Sequence, residues 1–380
     1  TYENIYNNNI LPKYGSLRNK EHDNNLLKEN SYPHQYSILD RLNLEDLNTI
    51  SIDPPNCKDA DDAFSIYFKN GKLFLAIHIA DPTEYISPNS NLWEDISNRV
   101  ITHYPSNNQP IHLMPDEILK LSSLNTDNEP EIKNAISIIT EIDKNSNLPI
   151  NNVKLEFSRV KVSKQYAFSY EEASKLSDEM MEVYLGLKIS KALREKRSLK
   201  TIGTKLSELN YSYPIFENDN IKINTDSEKT TLLKQMIGEF AIFANSFVGE
   251  YLKINLNGIG IFRTYDATNL EYHNNMSGQE LLNQIIDHGI SAEYLSEINS
   301  HDLVGAPEYC HFTSPIRRVT DCICHYLIRT IKLSLDVPWN KEELEYFSNK
   351  FHVVSKKEKN IQYNDKKFKI IQLLNQILQE

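Results

Sequence analysis

The stretch that decides the fold is Ile50-Ser51-Ile52-Asp53-Pro54-Pro55-Asn56-Cys57-Lys58-Asp59-Ala60-Asp61-Asp62, followed by Ala63 to Phe68, Asn70-Gly71 and Leu73 to Ala80. Two prolines in series exclude a helix and hold Asp53 extended. Beyond the acidic loop, Phe64, Ile66 and Phe68 alternate with Ser65 and Tyr67. Leu73, Leu75, Ile77 and Ile79 alternate again after Asn70-Gly71, a strong hairpin turn pair. The pattern predicts a hairpin whose first strand is fed by the acidic loop and whose second ends at Asp81-Pro82.

Outward from this hairpin, strands are expected over Asn134 to Ile142, Val153 to Val162 and Ile259 to Thr264. Helical spacing marks Trp93 to Val100, Glu179 to Leu199, Leu232 to Leu252, Gly278 to His288 and the segment from Lys341. Pro315 is expected to open a helix reaching about Leu333. Tyr104 to Pro115 reads as a loop. Residues 1–48 read as a polar, Asn-rich lead-in with a short helix around Ile38 to Leu47, and 49–380 as the main domain. The mixture predicts an α+β fold around one mostly antiparallel sheet.

The chain has 380 residues, 40% hydrophobic and 24% charged, which is a globular composition long enough to bury a large core. No run approaches the roughly 18 apolar residues of a membrane span, and the N-terminus lacks the apolar core of a secretory signal. With 41 basic and 52 acidic residues the net charge is −11, which argues against a non-specific nucleic-acid coat but leaves room for a basic channel within an acidic body. The four cysteines, Cys57, Cys310, Cys322 and Cys324, form no CxxC pair. They read as free thiols of an intracellular, cytoplasmic protein. Cys322 and Cys324, two apart on a helix, point apart and cannot share a zinc ion easily.

Asp53, Asp59, Asp61 and Asp62 crowd into one non-helical loop. Four carboxylates so close repel one another, and a hard divalent cation such as Mg²⁺ or Mn²⁺ neutralises them. A solvated acidic loop is the alternative; a calcium loop of the EF-hand pattern is absent. The second constellation is Tyr309-Cys310-His311-Phe312-Thr313-Ser314-Pro315-Ile316-Arg317-Arg318. Thr313-Ser314-Pro315 reads as a helix start, which puts Arg317 and Arg318 where a helix dipole disfavours cations. They would face either an anion, phosphate or the aspartates, or Asp321 in a local ion pair.

Together the two strings resemble the metal-binding and second signatures of the ribonuclease II/ribonuclease R family, which includes the catalytic subunit of the exosome. The resemblance runs from about Ile50 to the C-terminal helix. It implies an RNB-type catalytic domain, with helices around the sheet enclosing an RNA channel. It also implies a hydrolytic 3′→5′ exoribonuclease that acts on single-stranded RNA, releases nucleoside 5′-monophosphates and uses two Mg²⁺ ions, for which Mn²⁺ can substitute. The family's metal ligands fall on Asp53, Asp59, Asp61 and Asp62, and its catalytic arginine on Arg317. RNA-contacting aromatics fall on Tyr104 and Tyr170, and an acidic contact to the terminal nucleotide on Glu239. His311, Thr313 and Ser314 would shape the loop that aims Arg317. Two positions depart from the family: Val319 stands where Tyr is usual and Tyr326 where Arg is usual, so helix packing or an RNA contact differs there. Flanking OB-fold domains do not fit in the remaining residues: the chain is read as either a minimal natural form or an excised catalytic domain, and a partner protein could supply such RNA-binding domains. A catalytically silent RNA-binding scaffold and an endoribonuclease are the competing readings.

Other features are less specific. Lys188, Lys191, Arg194, Lys196, Arg197 and Lys200 line either an RNA channel or a solvated helix face, as does the basic stretch Lys356 to Lys369. His78, inside an apolar strand, reads as structural. Arg263 meets either RNA or a local partner.

Overall fold

A computed structural model describes residues 1–106, 109–125, 129–150, 152–209, 212–217 and 220–379. Its centre is an open five-stranded sheet built from β1 (Leu42–Asn43), β3 (Asp62–Lys69), β4 (Lys72–Ala80), β5 (Ile132–Ile142) and β6 (Lys154–Lys161), with β2 (Ser51–Asp53) paired elsewhere. The order is β1-β6-β5-β4-β3, and every pairing is antiparallel except β1 with β6. The expected hairpin is β3–β4, in register from Asp62 opposite Ile79 to Lys69 opposite Lys72. Asn70 and Gly71 both have positive φ, 52° and 74°, the backbone a tight two-residue hairpin turn requires.

The sheet is buried on both faces. Phe64 and Ile66 are buried beneath α6 (Met181–Ser198) and α7 (Glu228–Leu256), with the Phe64 and Phe240 rings 5.5 Å apart. Gly186 allows this close packing, because a Cβ would stand 2.8 Å from Met236 Sδ and the methionine would have to shift. His78 is buried between the Ser65 and Ser137 hydroxyls, at 2.9 and 2.7 Å. Burial pushes its pKa down to about 3, so it is a neutral structural imidazole, as the sequence predicts.

One expectation fails near the N-terminus. Residues 38–47 form no helix. Leu42–Asn43 instead pairs with Ser158 and Arg159, and Arg41 turns inward to Asp81 (2.7 Å) and Glu84 (2.6 Å). Arg329 meets the same two carboxylates at 2.8 and 2.6 Å, closing a buried quartet beneath the end of β4. The lead-in carries two helices, α1 (Tyr2–Asn9) and α2 (Lys20–Glu29). Arg18 ties it to the body through Asp23, Asp95 and the Leu113 carbonyl.

The other helices are α3 (Asn91–Arg99), α4 (Asp116–Ser122), α5 (Tyr170–Leu176), α8 (Gly278–His288), α9 (Val319–Leu333) and α10 (Lys341–Gln379). Strands β7 (Ala167–Ser169), β8 (Ser212–Glu217), β9 (Asn220–Thr225), β10 (Phe262–Thr264) and β11 (Glu293–Leu295) complete short two-stranded pairs. The largest correction concerns α9. It starts at Val319, not at Pro315, and Arg318 is its extended N-cap at φ −138° and ψ 127°. Non-local pairing decides this: Thr102 N–H donates to the Arg317 carbonyl, and Val319 N–H to the Val100 carbonyl. The two arginines therefore precede the helix, and Arg318 is paired with Asp321 in its first turn. Among the described residues, no helix is long and apolar enough to cross a membrane.

Candidate active site

The acidic loop is held at both ends. Its entry, β2, runs parallel to β7, with Asp53 opposite Ser169, so Tyr170 at the start of α5 follows directly beside Asp53. Its exit is fixed by Ala80 N–H donating to the Asp61 carbonyl at 2.8 Å. Between them, Ala60 N–H donates to Ser123 Oγ at 2.8 Å, and Leu124 N–H to the Ala60 carbonyl at 2.9 Å.

The second constellation reaches this loop from α7. Asn245 Oδ1 accepts the Phe312 N–H at 2.8 Å, and its Nδ2 donates to the Tyr309 hydroxyl at 3.1 Å. Gly249 lets the chain pass closely, since a Cβ there would lie 2.8 Å from the Glu308 carbonyl. The following turn is capped by Asp321, which accepts from Ser314 N–H at 2.8 Å and from Arg318 Nη2 at 3.0 Å. The sequence left both arginines with two candidate partners, and the structure divides them: Arg318 takes Asp321, while Arg317 faces the aspartate loop.

Asp61 is the junction. Its Oδ1 accepts the Ile316 N–H at 2.7 Å, and its Oδ2 accepts Arg317 Nε at 3.2 Å. Ser314 Oγ accepts from Arg317 Nη2 at 2.8 Å and orients the guanidinium. The Asp61 side chain is only 3% exposed whereas that of Arg317 is 46% exposed, so a cation with an accessible face stands over a buried anion. Asp59 faces the Tyr104 hydroxyl, which donates to its Oδ2, and His112 Nδ1 lies 4.0 Å from the same oxygen. His112 was not legible as a site residue; an isolated histidine in a loop carries no spacing signal.

Burial pushes Asp53 up to about 7, with the Asp62 charge adding to the shift. Burial likewise pushes Asp62 up to about 6 against the opposing pull of Arg317. Asp61 is raised well above the ordinary range by burial, and the Arg317 charge and the Ile316 N–H only partly offset this. This is a site short of positive charge, and the donor set fits a hard divalent cation. Burial and the neighbouring Asp53 raise the Cys57 thiol. All four cysteines are free, with Cys310, Cys322 and Cys324 buried. Among the described residues, no three carboxylate, imidazole or thiol groups form a ready-made metal cage.

The remaining expected site residues lie further along the α6–α7 side. Tyr170 lies near Lys234, whose Nζ is 5.6 Å from its ring and 5.4 Å from that of Tyr213. Lys234 and Glu239 line one cleft of about 360 Å³. Glu239 is buried and forms an ion pair with Arg197, whose Nε is 3.2 Å from Oε2. Several residues of the basic stripe are thus locally paired: Arg197 with Glu239, Arg194 with Glu208 at 3.8 Å, and Lys191 with Glu195 at 4.0 Å. Arg263 stacks on Tyr294, 4.4 Å from its centroid. A cleft of about 1170 Å³ lies between Ser198–Lys205 and Ser300–Pro307 and contains none of the four aspartates. Tyr326 is core rather than RNA contact: it is fully buried, its ring is 5.2 Å from that of Trp93, and its hydroxyl donates to the Ile86 carbonyl. Val319 is buried as well.

The RNB domain matches residues 41–333, a span that includes the whole sheet, both signatures and α9. The chain belongs to the RNB domain family. Among curated relatives, the exosome complex exonuclease dis3 of Schizosaccharomyces pombe is 27% identical over 345 residues, covering 75% of this chain and 34% of that protein. Exoribonuclease 2 of Buchnera aphidicola is 28% identical over 340 residues, covering 77% of this chain and 50% of its own length. The chain thus spans between a third and a half of these relatives. Among solved structures, Mycoplasma genitalium RNase R in complex with ribose-methylated single-stranded RNA superposes with a TM-score of 0.76 at 20% identity, covering 96% of this chain and 63% of that one. Yeast Ssd1, described as a pseudonuclease, superposes with a TM-score of 0.69 at 17% identity, covering 97% and 49%. These likenesses establish the RNB fold: a mixed α+β domain with an open, mostly antiparallel sheet.

Proposed function

We propose that this RNB domain is a hydrolytic 3′→5′ exoribonuclease acting on single-stranded RNA and releasing nucleoside 5′-monophosphates. The observation that carries the reading is the meeting of Asp61 with Ile316 and Arg317, which joins the two family signatures into one site. Asp53, Asp59, Asp61 and Asp62 would hold two Mg²⁺ ions, or Mn²⁺ in their place, which supply an activated water and stabilise the departing 3′ oxygen. Arg317, with its exposed face and a guanidinium that grips phosphate bidentately, leaves Asp61 to donate to the non-bridging oxygens of the scissile phosphate. Ser314 keeps the guanidinium aimed during that exchange. The Tyr104 ring, 42% exposed, offers a stacking surface beside Asp59, and Tyr170 a second one beside Asp53. Glu239, held by Arg197, is assigned to the terminal nucleotide. The resemblance, not the geometry, supplies the polarity and the exonucleolytic mode. A partner chain that contributes RNA-binding domains, and a reducing intracellular compartment suited to four free thiols, complete the reading.

One observation favours a second reading. The pseudonuclease Ssd1 shares this fold, and here Asp61 is already occupied by Arg317, so a silent RNA-binding scaffold is the competing account. A time course separates the two, using a 5′-labelled single-stranded RNA of about 30 nucleotides, longer than a single-strand groove, with Mg²⁺ or with chelator and beside the DNA analogue. Metal-dependent shortening to a small 5′ product, with DNA spared, supports the exoribonuclease. Intact RNA together with no Mn²⁺ binding by calorimetry supports the scaffold. Cleavage of a circular RNA would point to an endonuclease instead.

A further inference from the structure

The segment that carries Tyr104 is held by α10 and by the segment around α1. His103 Nδ1 lies 2.7 Å from Glu358 Oε2 on α10. Ser106 N–H donates to Asp365 Oδ2 at 3.0 Å, and the Ser106 hydroxyl donates to Asp365 Oδ1. Glu358 and Asp365 are two helical turns apart and so share one face of α10. Asp365 is 2% exposed, and a buried carboxylate needs donors on both oxygens. The N-terminal segment adds two more donors, and the buried Lys369 lies one turn further along α10: the Tyr6 hydroxyl donates to Oδ2 at 3.0 Å and the Tyr14 hydroxyl at 2.7 Å. Tyr6, Ile10 and Tyr14 pack with Ile111 and Ile361 in a small core of their own. On the opposite side of the segment, the Tyr104 hydroxyl donates to Asp59. Tyr6, Tyr14, Glu358 and Asp365 all lie outside the residues matched by the RNB domain, 41–333.

We propose that Asp365 is a positioning residue for Tyr104. It gathers donors from Tyr6, Tyr14 and Ser106, and thereby fixes the 103–106 segment with the Tyr104 ring exposed and its hydroxyl on Asp59. A ring fixed in advance loses less conformational freedom when a base stacks on it, so the anchor contributes to RNA affinity without touching RNA. The N-terminal segment and α10 are on this view working parts of the site. The inference rests on the RNA reading given above.

The test is a double-mutant cycle on single-stranded RNA affinity, measured by fluorescence anisotropy in chelator so that no turnover is needed. Tyr104→Ala should lose roughly 5- to 150-fold, the range of one stacked base. Asp365→Ala should lose about 10-fold in the wild-type background and less than about twofold in the Tyr104→Ala background. Asp365→Asn should remain within about threefold of wild type, because its carbonyl oxygen can accept from the tyrosines and Ser106 N–H while its amide donates to Ser106 Oγ. Equal losses in both backgrounds, or undiminished affinity in Asp365→Ala, would overturn the proposal. If Asp365→Ala fails to fold, Tyr14→Phe runs the same cycle with one hydroxyl removed and the ring kept. If the wild-type protein binds no RNA, the functional reading fails on its own. Amide exchange over 103–106 then decides the anchor: faster exchange in the variant supports it, and an unchanged rate overturns it.

Discussion

Asp61→Asn separates the chemistry of this site from its architecture. The asparagine carbonyl can keep the 2.7 Å bond from Ile316 N–H, but its amide then confronts Arg317 Nε, donor against donor. The ion pair lost is a half-exposed one, worth about 0.5–1 kcal/mol. Against that, one buried charge disappears from a cluster whose burial and mutual repulsion raise the carboxylates. These contributions oppose each other and are of similar size, so the melting temperature should move by no more than about 3 °C. Cleavage should fall by at least about 10²-fold, the loss typical of removing one charge-stabilising group. RNA affinity in chelator should stay within about threefold, because no proposed phosphate or base contact is removed. The assay is single-turnover decay of labelled RNA beside anisotropy and calorimetry on the same preparations. Cleavage within about fivefold of wild type at an unchanged melting temperature would refute the ligand role of Asp61. A fall well beyond 3 °C would instead make it a structural residue.

Other perturbations have defined outcomes. Asp53 and Asp62, raised from 3.8 to about 7 and about 6, bind more protons folded than unfolded; the metal-free fold should therefore lose stability from this site as pH rises from about 4 to about 7. The thermal stabilisation by Mn²⁺ should grow over that range, and a shift independent of pH would contradict the carboxylate ligands. Arg329→Met leaves the buried Asp81 and Glu84 with Arg41 as their one remaining guanidinium, which should cost about 3–5 kcal/mol and roughly 4–6 °C in melting temperature for a chain of this length; calorimetry showing no change would contradict the quartet. Arg317→Ala should slow cleavage by about 10²–10³-fold and reduce the salt dependence of RNA affinity by about 0.7 in logarithmic slope, one phosphate contact on a single strand; an unaltered slope would remove Arg317 from the RNA.

What the sequence reveals follows the range of the interactions involved. The β3–β4 hairpin is legible because strand alternation and the Asn70-Gly71 turn are local. The four aspartates are legible as a group because they share one loop. The start of α9 is not, because Pro315 favours a helix locally while Arg317 and Val319 are tied to Thr102 and Val100, more than two hundred residues earlier in the chain. Residues 38–47 mislead for a related reason: Arg41 is drawn into a cluster whose members are scattered along the chain. The order of α1 depends on Tyr6 meeting Asp365 near the far end of the chain, and no composition signal carries that pairing. Glu239 is visible as a match to the family, but its partner Arg197 emerges only when α6 packs on α7.

The central claim is that Asp53, Asp59, Asp61, Asp62 and Arg317 form one hydrolytic site for the RNA 3′ end. The most direct measurement is a Mg²⁺-dependent digestion of single-stranded RNA in heavy-oxygen water, with the released nucleotides analysed by mass spectrometry. The account predicts nucleoside 5′-monophosphates carrying one heavy oxygen in the phosphate for each bond cleaved, and none from Asp61→Asn. Products ending in 3′-phosphate or cyclic phosphate, or intact RNA under every metal condition, would contradict it.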